Sequence, residues 1–155
     1  MLTFEQMAVR LLVALALGAL IGIEREISGK EAGMKTGMLV AGGAAIFSMI
    51  ALILPEIFLL NNPMITVSDA GFPSIIANIV VGIGFLGAGI IIKNDGSRVH
   101  GMTTAAAIWT TAAVGTLVGV GLTGFAVFST VLIAGLLYIL RKVRLDERFH
   151  SDNRK

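Results

Sequence analysis

The sequence predicts an all-α membrane protein, a polytopic bundle of five transmembrane helices, and three observations carry that expectation. Apolar runs recur along the chain: 55% of its 155 residues are hydrophobic, 14% are charged, and the mean hydropathy is +0.88, a composition typical of membrane proteins. The charges are confined to short polar breaks between the runs. Every lysine and arginine except Arg10 falls in alternate breaks, the asymmetry that orients helices across a bilayer. The length fits one domain. A net charge of +2 with no extended basic face offers nucleic acid no footprint. The absence of cysteine excludes disulfides and thiolate metal sites.

The first apolar run, Leu11 to Ile23, is shorter than the ~20 residues a ~30 Å hydrocarbon layer needs. The helix must therefore start near Phe4 and carry Glu5, Gln6 and Arg10. A signal peptide is the competing reading, with a cleavage-like Ala14-Leu-Ala16. Glu5 stands where a basic leader should begin, and a strongly charged break follows Ile23, both against it. Glu24 to Lys35 forms the first loop. The second span runs from Thr36 to Leu54 and should stop at Pro55, a residue that breaks helix interiors. Asn61-Asn62-Pro63 and Asp69 to Pro73 bracket a second loop that contains no Lys or Arg. Pro73 suits the opening turn of a third span, Ser74 to Ile92. Lys93 to Gly101 is the third loop. The fourth span covers Met102 to Leu122, with Thr123-Gly124 as the turn into a fifth, Phe125 to Leu140. Residues 1–140 are thus the membrane domain, and 141–155 a short basic cytoplasmic tail.

Placing the basic breaks inside the cell puts the amino terminus outside and the carboxyl terminus in the cytoplasm. A faint repeat runs through the same pattern. Gly33-Met-Lys-Thr36 and Gly101-Met-Thr-Thr104 each open a span, and the same offset carries Arg25 onto Lys93 and Lys30 onto Arg98. A tandem hairpin repeat, spans one–two and three–four with span five added, is the expectation; parallel repeats of this kind occur in transporters.

Glycine is abundant, 19 in all, and its spacing fits helix packing in lipid, where small residues let backbones approach. The packing candidates are Gly18 and Gly22, Gly82, Gly84, Gly87 and Gly89, and Gly115 and Gly119. Gly82-Ile-Gly84-Phe-Leu-Gly87 also satisfies G-x-G-x-x-G literally. A dinucleotide site needs a preceding strand and an acid about 20 residues on; here the glycines sit inside an apolar run and Asp95 is too near. Self-association through the small-residue faces follows from the same pattern.

Arg10 is the most informative charge, since a cation at membrane depth is costly unless it snorkels or finds a partner. Snorkelling to the outer surface competes with pairing to Glu5 or Asp69. Glu24-Arg25-Glu26 closes span one. Consecutive helical residues point about 100° apart, so Glu24 and Arg25 should not share a face, and at least one should turn toward the bundle. A hydrated cap is the plain reading. The sharper one is an inner-face cluster of Glu24, Glu26 and Asp95 with Asn94, able to contact a hydrated Mg²⁺ through carboxylate oxygens. Asn78 within span three needs a partner or a cavity. Thr103, Thr104, Thr110 and Thr111 can bond back to their own helix. His100 and His150 stand alone, so no zinc set or catalytic dyad forms. Trp109 and Tyr138 read as packing and interface residues.

Three ordered motifs, Leu17-Gly-Ala-Leu-Ile-Gly-Ile-Glu-Arg-Glu26, Val80-Val-Gly-Ile-Gly-Phe-Leu-Gly-Ala-Gly89 and His100-Gly-Met-Thr-Thr-Ala-Ala-Ala-Ile-Trp109, together resemble the MgtC/SapB family of bacterial inner-membrane proteins. Arg10, Gly18, Gly22, Glu24, Arg25, Glu26, Gly82, Gly84, Gly87, Gly89, Gly101, Thr103, Thr104 and Trp109 carry the match, which extends from about Arg10 to Leu140. The resemblance implies a plasma-membrane protein of about five spans. It also implies a link to growth in low magnesium and to survival inside macrophages, exerted by restraining the membrane ATP synthase rather than by carrying Mg²⁺. Two departures stand out. The family often has Arg near the start of span three and Gln one turn on, where this chain has Ser74 and Asn78. The namesake carries an ACT-like domain after its last span, whereas only a short stretch follows Leu140 here, so that domain is expected to be absent.

The leading expectation is a non-enzymatic membrane regulator tied to magnesium or ion homeostasis through contacts with other membrane proteins. The alternative is a small transporter or channel, with Arg10, Asn78 and the Glu24/Glu26/Asp95 cluster lining a path between helices one, three and four. An enzyme ranks last for want of a nucleophile–base or ligand set.

Overall fold

A computed structural model of the chain describes residues 2–61, 72–92 and 101–152. It contains five helices in order: α1 (Phe4–Ile27), α2 (Met34–Asn61), α3 (Phe72–Ile92), α4 (Met102–Gly119) and α5 (Thr123–Asp152). Each has a segment long and apolar enough to cross a membrane, as the hydropathy pattern predicts.

The helix ends follow from local chemistry. Thr3 caps α1: its side chain accepts from the Gln6 amide while the Gln6 side chain accepts from the Thr3 amide, satisfying two of the donors a helix start leaves open. At the other end, Gly29 takes a left-handed φ of 64°. Its N–H donates to the Glu26 carbonyl, and the Lys30 N–H to the Arg25 carbonyl, the paired closure of a Schellman motif. The same motif ends α4: Gly121 has φ 96°, its N–H donates to the Val118 carbonyl, and the Leu122 N–H donates to the Leu117 carbonyl.

Four boundaries differ from the sequence expectation. α1 runs through Glu24-Arg25-Glu26, so this triplet is helical and not part of a loop. α2 passes Pro55 and ends at Asn61. A proline forfeits one N–H donor and crowds the preceding turn, but bilayer helices tolerate this, and α2 has spanned an apolar thickness before reaching it. The α4–α5 turn is Val120 to Leu122, and Thr123-Gly124 belong to α5, because Gly121 and not Gly124 supplies the left-handed residue. Finally, the segment expected as a tail is helical as far as Asp152. Pro73 lies in the first turn of α3, where its missing N–H costs nothing.

α1, α2 and α4 pack mutually, α3 lies against α2 and α4, and α5 against α1 and α4. The outer helices are accordingly open to lipid: 6% of the apolar window of α3 is buried and 11% of that of α5, against 50% for α4. Buried Ala14, Leu17, Ile21, Ala45, Val114, Val118 and Ala126 form the centre. Lipid tails are as apolar as these side chains, so the cohesion is close packing and hydrogen bonding and not transfer out of water.

That packing is at backbone distance. A methyl added at Gly18 would collide with the Gly37 carbonyl oxygen, and one at Gly115 with the Ala41 carbonyl oxygen. At Gly22 it would lie 2.7 Å from the Gly33 oxygen, and at Gly119 2.6 Å from the Ala45 oxygen. α2 is therefore held on two sides, by Gly18 and Gly22 of α1 and by Gly115 and Gly119 of α4. Gly87 faces Ala105 of α4 at 3.5 Å, while Gly82 and Gly84 have nothing within 4 Å and neither does Gly89. Of the candidate packing glycines, these last three make no close contact among the described residues.

Candidate functional site

The polar groups gather at the two ends of the central three helices. At the end that the sequence assigns to the cytoplasm, the last turns of α1 meet the first turns of α2 and α4. Glu24 and Arg25 are both buried, at 8% and 6% exposure. The Arg25 Nε donates to Glu24 Oε2 at 2.7 Å, and Nη2 lies 2.6 Å from the same oxygen. The Ser28 hydroxyl, one turn on, donates to Glu24 Oε1 at 2.8 Å. The expectation that these neighbours could not share a face is thereby corrected: the long guanidinium folds back alongside the helix, and both charges enter the bundle as one neutral unit. Such a pair survives burial because each carboxylate oxygen has a charge-assisted or hydroxyl donor.

Glu26 turns the other way. Its Oε2 accepts from the Met34 amide at 2.9 Å and so caps the start of α2, where an acid also complements the helix dipole. Across the site, Glu31 in the α1–α2 loop accepts from the Thr104 hydroxyl at 3.2 Å. Thr104 is fully buried in the first turns of α4, so Glu31 brings negative charge to the start of that helix. Thr103, its neighbour, is exposed. Cation contact at Glu24 would compete with Arg25 and Ser28, and at Glu26 with the Met34 amide. Among the described residues no three His, Asp or Glu side chains come together as a ligand set. Asp95 and Asn94 lie outside the described residues, as do Asp69 and His100.

At the opposite end Arg10 donates from Nη1 to the Gly119 carbonyl at 2.7 Å, at the carboxyl terminus of α4. A helix end leaves its last carbonyls open and carries partial negative charge, so a backbone group serves as partner. Neither Glu5 nor any other described acid forms a salt bridge with Arg10. Gly121 belongs to this arrangement as well: a methyl on it would lie 2.9 Å from Arg10 Nη2.

Asn78 joins neither end. It is exposed and lies on a groove of about 630 Å³ between α2 and α3, among apolar residues such as Leu39, Phe47, Ile79 and Leu86. The hydroxyls at membrane depth are satisfied locally, Thr111 by the Ala107 carbonyl at 2.7 Å and Thr130 by the Ala126 carbonyl at 2.8 Å. Thr110 bonds likewise to the Ala107 carbonyl, at 2.9 Å.

Of the residues singled out from the sequence, the structure brings together Glu24 and Arg25, and places Glu26, Thr103 and Thr104 around the same end. It separates Arg10 and Asn78 from them and from each other. Ser28, Glu31 and Gly121 escaped the sequence reading. Ser28 and Gly29 after a charged helix end were a legible cap signal, but nothing local in the sequence marks Glu31 as a partner of Thr104.

The sequence pattern of the MgtC family matches residues 11–145. Over 128 residues the chain is 42% identical to Protein MgtC of Brucella abortus (strain 2308), covering 83% of this chain and 48% of that protein. Over 132 residues it is 40% identical to Protein MgtC of Salmonella typhimurium (strain LT2), covering 85% and 51%. An uncharacterized protein of Synechocystis is 40% identical over 130 residues, 84% of this chain and 50% of its own length. The chain thus spans about half the length of the curated relatives it matches. No solved structure matches it.

Proposed function

The chain belongs to the MgtC family, and from that premise we propose that it is a non-enzymatic membrane regulator in magnesium-linked physiology, acting through contacts with other membrane proteins and not by conducting ions. One observation supports the second half of this reading: the ionisable groups at the two ends are separated by a stretch of α1 that carries none. Arg10 and Glu24 stand about 21 Å apart along α1 at 1.5 Å per residue. Between them lie only apolar or glycine residues, packed on Val114 and Val118. α1 makes no helix contact with α3 among the described residues, which supports a reading in which Asn78 and Arg10 act apart. An ion route needs ionisable or carbonyl groups lining a wet cavity.

Purified protein in liposomes tests this. Mg²⁺ entry, followed with a trapped indicator, should match that of empty vesicles, and Glu24→Gln should change nothing. Entry well above empty vesicles that Glu24→Gln abolishes would establish transport and sink the regulator reading. The partner class that the resemblance implies is the membrane ATP synthase. ATP-driven proton pumping in vesicles holding both proteins should be slower than in vesicles holding the synthase alone.

A further inference from the structure

We propose that Arg141 on α5 anchors a binding site for the phosphate of an anionic phospholipid headgroup in the leaflet facing the cytoplasmic end of the bundle. The proposal does not depend on the regulator reading. Ala126 and Thr130 are fully buried on α5, and Ile133 and Leu137 pack on the core. Arg141 continues this stripe one turn further, in the 3.6-residue register of a bundle-facing row. Its Nη1 is buried and has no hydrogen-bond partner among the described residues. The guanidinium carbon lies 5.2 Å from the Tyr138 ring centroid, so one face is covered by an aromatic, and the fork is held in place.

A buried guanidinium nitrogen is ordinarily paired. The apolar run of α5 ends at Leu140, so Arg141 is the first charge past it, at the level where headgroup phosphates lie and where Tyr is enriched. Lys142 beside it is exposed and adds positive charge without facing the bundle. A forked cation with an open donor, an aromatic cover and a position at the lipid boundary fits a phosphate oxyanion, and among the described residues no carboxylate pairs with it.

Native mass spectrometry of the protein, released from mixed micelles of phosphatidylglycerol and phosphatidylcholine, reads this directly. The wild type should retain phosphatidylglycerol over phosphatidylcholine by roughly fivefold or more, the scale of one basic residue at an anionic surface. Arg141→Gln should bring that ratio near one, and Lys142→Gln should leave most of it. Arg141→Lys keeps the charge but loses the fork, and should fall between; it stands in if the glutamine variant fails to fold. An undiminished preference in Arg141→Gln or in Arg141→Lys overturns the site. Displacement of phosphatidylglycerol by millimolar inorganic phosphate would assign the site to a soluble oxyanion and overturn the lipid assignment; insensitivity to it supports the headgroup.

Discussion

Substituting alanine for single glycines separates the packing that holds the bundle from glycine that merely occurs in a membrane helix. At Gly119 the added methyl would lie 2.6 Å from the Ala45 carbonyl oxygen and 2.7 Å from the Ser48 Cβ. Ordinary contact begins near 3.4 Å, so α4 would have to retreat from α2 by about 0.8 Å, giving up dispersion contacts along the seam. Backbone atoms cannot swing aside as a side-chain tip can. Overpacking of this kind costs about 1–3 kcal/mol, and the better helix propensity of alanine returns roughly 1 kcal/mol at most. The net loss is about 0–2 kcal/mol at Gly119, and larger at Gly115, where the methyl would overlap the Ala41 carbonyl outright. At Gly82 and Gly84 nothing lies within 4 Å, so the propensity gain of up to ~1 kcal/mol stands alone. Thermal unfolding in detergent should therefore place Gly115→Ala several degrees below the wild type, at about 2–4 °C per kcal/mol for a chain of this size. Gly119→Ala should fall between them, and Gly82→Ala and Gly84→Ala at or above the wild type. Equal melting temperatures for the Gly115 and Gly84 variants would refute the close-packed seam.

Three further outcomes follow from the polar ends and the topology. Arg25→Gln leaves the Glu24 carboxylate buried without its cation and should destabilise by about 3–5 kcal/mol; the double change with Glu24→Gln should recover much of that loss in the same melting assay. Arg10→Ala removes a charged donor from the Gly119 carbonyl, at a cost of about 1.5–3 kcal/mol, and hydrogen exchange should rise first around Val120 to Leu122. Because the chain has no cysteine, single cysteines at Lys30 and at Leu122 can be labelled one at a time. In intact cells the Leu122 site should react with an impermeant maleimide and the Lys30 site only after lysis, whereas the reverse would invert the assigned orientation.

The spans were legible because lipid demands a long apolar run, and little else in a sequence has that length. The seams of α2 were half legible: Gly18, Gly22, Gly115 and Gly119 showed at four-residue spacing, but Gly82, Gly84 and Gly89 have similar neighbours and no close contact. Spacing states what could approach and does not say which helix arrives. Pro55 lies inside α2 because propensity is only local, whereas tolerance of a missing donor depends on what surrounds the freed carbonyl. Arg10 was marked out by cost alone, and an acid was sought for it. Its observed partner is a backbone carbonyl, present in every residue and so invisible in side-chain chemistry. For Glu24 and Arg25 the 100° step between consecutive residues sets only where each side chain leaves the helix, and an arginine is long enough to double back onto its neighbour.

The clasp on both sides of α2 sets what the molecule can do as a moving object. A rod gripped at two seams cannot roll or slide without releasing both together, so α1, α2 and α4 act as a rigid keel. Any signal that reshapes this protein within the membrane must then either unlock both seams at once or work through α3 and α5, the helices that turn most of their apolar surface outward.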